Sequence, residues 1–99
     1  DESSRYLGEI LYIRGIYDQS SSFFEDLLTR HPEDAGLRTA LVLSNLAQSR
    51  KLLEHSMTLF PSSLFIHEEL AKVRSSIERL ESLGVMTGWN DEERNNFHA

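Results

Sequence analysis

Residues 4–32 read SRYLGEILYIRGIYDQSSSFFEDLLTRHP, and this stretch decides the fold. Its large apolar side chains before the first turn are Tyr6, Leu7, Ile10, Leu11 and Ile13. Their spacings are mostly three and four residues, the period of a helix. Gly15 can close that helix, because glycine enters the left-handed region at little cost. Asp18 is placed to accept from the free N–H groups that begin a second helix. Phe23, Phe24, Leu27 and Leu28 recur along it at i, i+1, i+4 and i+5, one stripe. It should stop near Arg30 and His31, since the residue before Pro32 avoids the α region and basic side chains suit the negative helix pole. Two such helices joined by a short turn pack as an antiparallel hairpin.

Working outward, Asp34 can cap a third segment after Pro32 and Glu33. Leu37, Ala40, Leu41 and Ser44 share one face of it. Ser49, Leu52, Leu53, Ser56, Met57 and Phe60 form another stripe, ended by Pro61. The stretch from Asp34 to Phe60 has no proline, and its one glycine, Gly36, sits at the start. One continuous helix and two short helices joined near residues 44–48 both fit. Ser62 or Ser63 can cap a further helix, whose apolar set is Ile66, Leu70, Val73, Ile77 and Leu80. These form a heptad-like seam of about two heptads, short of the three or four that define a coiled coil. Leu83 and Gly84 read as its stop. Val85, Met86 and Trp89 follow in a linker, and Asn90 with Glu93 resembles a capping box, which predicts a short helix over residues 91–97. Strand-like alternation is nowhere to be seen. The expectation is an all-α chain of about five helices plus a short C-terminal one.

Composition narrows the chemistry. The chain has 99 residues, 39% apolar and 26% charged, enough for one small domain. It lacks cysteine, so it has no disulfide, thiolate zinc site, iron–sulfur cluster or thiol nucleophile. Its densest apolar runs, at residues 27–28 and 64–66, fall far short of the ~18 residues that cross a membrane, so no membrane insertion is expected. Sixteen acids against ten bases give a net charge of -6. That balance disfavours nucleic acid, whose affinity comes from Lys and Arg neutralising phosphates, and favours basic or apolar partners. Asp1 stands where an initiator Met would, which suggests a piece of a longer protein; the cytoplasm is the default compartment.

The first 34 residues resemble a tetratricopeptide repeat. Leu7, Gly8 and Leu11 match the large–small–large pattern of its first helix. Gly15 and Tyr17 match its turn, Ser20 its small residue, Phe24 its aromatic and Pro32 its closing proline; Leu27 departs, because the family has a small residue there. Gly8 and Ser20 let two backbones approach closely, while Leu7, Leu11, Tyr17 and Phe24 fill the space around them. Gly8 costs about 1 kcal/mol of helix propensity against alanine, which argues that close packing holds it there. A second unit is degenerate. Leu41 takes the large position one period on, but Val42 sits where a small residue belongs. Ser49, Leu53, Ser56 and Pro61 reproduce the second helix and its proline in a different register. The turn between these helices is therefore shortened, or they merge. Leu70 and Ala71 suit the large–small pair of a third unit. The implied organisation is a repeat domain over 1–83, with repeats at about 1–34 and 35–62 and an extra or capping helix at 63–83, followed by a linker and short helix over 84–99.

No catalytic or metal-binding set emerges. His67 is followed by Glu68, but the second histidine of a metalloprotease motif is replaced by Ala71. His31, His55 and His98 have no second ligand one turn away. The acid pairs Glu25 with Asp26, Glu33 with Asp34, Glu68 with Glu69, and the run Asp91, Glu92 and Glu93 sit at helix starts or on outer faces, where they favour the dipole and solubility. The serines at 20–22 begin a helix. What the resemblance does imply is a concave groove lined by the first helix of each repeat: Arg5, Tyr6, Glu9, Tyr12 and Ile13 from one, Thr39, Ala40 and Leu43 from the next. The family's clamp for a C-terminal carboxylate is not expected. Arg5 can replace its first base, but Glu9 and Ala40 stand where asparagines belong, adding repulsion and removing a donor. The expected function is a non-enzymatic protein–protein interaction module that binds a protein or peptide without cofactor. The alternatives are a self-assembling domain, pairing through the 66–80 helix or a merged helix across 44–48, and an accessory domain that positions a catalytic neighbour.

Overall fold

A computed structural model describes residues 2–84 and 86, with the side chains of residues 2 and 3 excepted. Among them it has four α-helices and no strand: α1 (Glu2–Ile13), α2 (Tyr17–Arg30), α3 (Ala35–Leu59) and α4 (Leu64–Ser82). Each helix packs on the next in sequence. The short connections reverse the chain every time. Ser20 of α2 meets Ser44 of α3, and Tyr17 meets Arg50, so these two helices run antiparallel.

The first reversal is a Schellman turn. The N–H of Ile16 donates to the Leu11 carbonyl and that of Gly15 to the Tyr12 carbonyl, with Gly15 at φ 80°. The turn is so tight that α2 starts at Tyr17. Ile16 becomes its N-cap, without a side-chain hydrogen bond, and Asp18 lies inside the first turn instead of capping it, which corrects the sequence expectation. Its carboxylate still favours the positive end of the dipole.

The next two reversals are built alike. His31 and Phe60 end their helices at nearly the same φ and ψ, each before a proline. Asp34 and Ser63 then cap the following helices, accepting from Leu37 N at 3.1 Å and Ile66 N at 3.3 Å. Each proline carbonyl accepts from a side chain six residues on: Pro32 from Arg38, and Pro61 from His67.

Between these turns α3 is one helix, which settles the alternative at residues 44–48 and reduces five expected segments to four. No breaker interrupts it, and the hydroxyl of buried Ser44 is satisfied within the helix, donating to the Ala40 carbonyl while touching Ser20. The expected helix at 91–97, with Val85 and Trp89, lies outside the described residues.

The core joins all four helices: Tyr12, Phe24, Leu27, Leu37, Ala40, Leu43, Ala47, Ile77 and Met86. Gly8 is buried under Phe24. A Cβ at Gly8 would stand 2.7 Å from the Phe24 ring, and the Ser20 hydroxyl donates to the Gly8 carbonyl at 2.8 Å. The close approach expected of the small pair is therefore present. Leu7, expected to fill space beside them, is instead half exposed, because α1 is an outer helix covered by α2 on the Gly8 side. Leu11, Tyr17, Leu41, Leu53 and Ser56 are half-buried, while Ser49 and Pro61 face solvent. Leu70 and Ile77 of the heptad-like seam are buried, and Ile77 joins Ala47 and Leu43 in the core. The seam is thus used, at least in part, inside the chain.

Candidate functional site

The face expected to form the groove is largely filled. Glu9 is fully buried, with its Oε1 3.6 Å from Nε of Arg5 one turn earlier. The Arg5 guanidinium reaches the start of α3, where a Cβ on Gly36 would stand 3.1 Å from it. Tyr12 is buried; its ring lies 5.3 Å from that of Tyr17, and its hydroxyl donates to Glu81 Oε2 at 2.9 Å. Burial pushes the Tyr12 hydroxyl pKa well above the ordinary phenol range, and the Glu81 carboxylate pushes the same way. Ala40 and Leu43 are buried beneath the same cluster. The second half of α4 joins the same core through Ile77 and Leu80, together with Met86. Arg5, Ile13 and Thr39 are half-buried, and only Tyr6 of the eight is exposed.

The apolar surface that remains open lies elsewhere. Arg50 donates to the Tyr17 hydroxyl at 2.7 Å and Lys51 to the Gly15 carbonyl at 3.1 Å, and both cations lie over the Tyr17 ring. These contacts fasten the α1–α2 turn to the middle of α3. Past Lys51, α3 continues for eight residues to Leu59, about 12 Å at the helical rise. Leu52, Leu59, Phe60, Leu64 and Phe65 are between 61 and 70% exposed along that projection, its turn and the start of α4. At the base of the projection is a cleft of about 400 Å³ lined by Tyr17, Asp18, Gln48, Lys51, Leu52 and His55.

Sequence reasoning placed Leu52 in a packed stripe and gave Leu59, Leu64 and Phe65 no partner-binding role. The signal was there: those three were apolar residues left over after every core stripe had been assigned. A monomer seldom exposes that much apolar side chain in one place without a use for it.

Among the described residues, no three His, Cys, Asp or Glu side chains gather to hold a metal ion. His31, His55 and His67 are exposed and separate. Asp26 pairs with Arg30, Glu69 with Lys72 and Glu54 with Arg74, as surface ion pairs. No helix among the described residues is long and apolar enough to cross a membrane. Compared with known proteins, the chain matches no family model, no curated sequence and no solved structure.

Proposed function

We propose that this chain is a non-catalytic protein-interaction module, a tetratricopeptide-like helical hairpin domain whose partners bind the projecting end of α3 and α4. The observation that carries the reading is the concentration of exposed leucine and phenylalanine at that end, in a chain whose presumptive groove is occupied by its own side chains. The Gly8, Ser20 and Phe24 contact supports the likeness to the repeat family, since it has the small–large packing the family uses. Partners of this surface are proteins or peptides with an apolar face; it offers no cofactor-binding chemistry.

The test is site-specific photo-cross-linking. A benzophenone side chain at Phe65 or Leu59 should give discrete adducts with protein partners in cells. The same group at Glu25, on the exposed side of α2, should give few. Equal labelling from the two faces, or none from the projection, would remove the reading.

A further inference from the structure

We propose that a second copy of this chain occupies the projecting end of α3, the two projections packing antiparallel about a two-fold axis near His55. The inference rests on the reading of that end as the binding surface and adds its occupant.

The first argument is the pattern. Gln48, Leu52, His55 and Leu59 follow one another by four, three and four residues, so they share a stripe of α3. Gln48 donates to Ser21 of α2, so this stripe is the side that α2 covers, carried on past the start of α2. Leu52 and Leu59 flank His55 almost symmetrically. A two-fold axis near His55 therefore sets Leu52 of one copy against Leu59 of the other, and the reverse contact follows by symmetry. The same pairing brings each Phe60 toward the partner's cleft beside Tyr17 and Lys51. Each projection then takes the place that a longer α2 would have filled.

The second argument is charge. With a net charge of -6, most faces of two copies repel each other. Residues 52–66 are the exception: they contain one formally charged side chain, Glu54, and it is paired with Arg74 at 3.1 Å. At the cleft, Asp18 and Lys51 offer opposite signs. Two copies can meet here without bringing like charges together. The third argument is area. Leu52, Leu59 and Phe60, the exposed apolar residues that the axis brings to the seam, supply the centre of an interface whose standard size is ~800 Å² per partner.

The experiment combines sedimentation equilibrium with disulfide trapping, for which a cysteine-free chain is well suited. The chain should show a monomer–dimer equilibrium over a wide concentration range. H55C should form a covalent dimer under mild oxidation, far faster than E25C. L59E, at an exposed position, should keep its helical circular dichroism while dissociation becomes at least about tenfold easier. A monomer mass at every concentration, equal trapping of H55C and E25C, or an unchanged equilibrium in L59E would overturn the proposal. If the chain stays monomeric while Phe65 cross-links to another protein, the second copy is excluded and the interaction module stands. If neither occurs, both readings fall.

Discussion

Gly8 shows how one missing methyl group sets the distance between two helices. Alanine there gains about 1 kcal/mol of helix propensity. Its Cβ would meet the Phe24 ring at 2.7 Å, closer than carbon atoms pack, and Phe24 is wholly buried and has nowhere to move. Overpacking of this kind costs about 1–3 kcal/mol, which outweighs the propensity gain. G8A should therefore lower the urea midpoint, where a propensity argument alone expects a rise. Tyr12 gives a second residue-scale test. In the folded chain it holds its proton above about pH 10, where an exposed tyrosine loses it. The unfolded chain then binds fewer protons, so the stabilisation is complete below about pH 10 and is lost as the pH rises through the raised folded value. Y12F should be about 1 kcal/mol less stable at neutral pH, having lost the bond to Glu81. Above pH 10 the gap between the two proteins should narrow, as read from urea unfolding at each pH.

At the scale of elements, the two proline turns share a geometry but differ in what surrounds them. Asp34 and Ser63 cap α3 and α4 in the same way, and alanine at either position costs about 1 kcal/mol of capping energy. The start of α3 is tied into the core through Leu37 and Ala40, whereas α4 begins among exposed Leu64 and Phe65. D34A should therefore lower hydrogen-exchange protection throughout α2 and α3, while S63A should loosen only the first turn of α4. Uniform loss of protection in S63A would contradict this division. These turns were legible in the sequence because a proline and a capping side chain act within a few residues of each other. The helical period was legible too, although two of the five expected segments share one helix, α3. Asp18 was misplaced because Asp and Ser are good caps wherever the backbone allows it, and the backbone was set by the Schellman turn three residues earlier. The continuity of α3 was undecided for a related reason. The two repeat fits left either a shortened turn near residues 44–48 or a merged helix, and with no glycine or proline there to make a turn, the helix runs on.

At the scale of the whole molecule, the closure of the groove was the feature that periodicity could not give. Stripes on α1 and α3 mark faces that tolerate apolar neighbours, but they do not say whether the neighbour is a ligand or α4. That depends on α4 running back along α3 until Ile77 and Leu80 meet the core and Glu81 reaches Tyr12, contacts between residues as many as 69 apart in sequence. The apolar end was legible only by subtraction, as apolar residues that belong to no core stripe, since nothing local tells an exposed leucine from a buried one. The two faces can be separated by mutation. Ile77 is buried beside Leu43 and Ala47, and I77A should cost about 2–4 kcal/mol. F65A, at an exposed position, should stay within about 0.5 kcal/mol of the wild type. A ligand test follows from the same geometry. An acidic peptide with a free C-terminal carboxylate must displace the α4 contacts and then face the buried Glu9 carboxylate, so titration calorimetry should show no binding to the wild-type chain. Micromolar binding abolished by R5A would mean that α4 leaves the groove readily, and the site of interaction would return to the concave face.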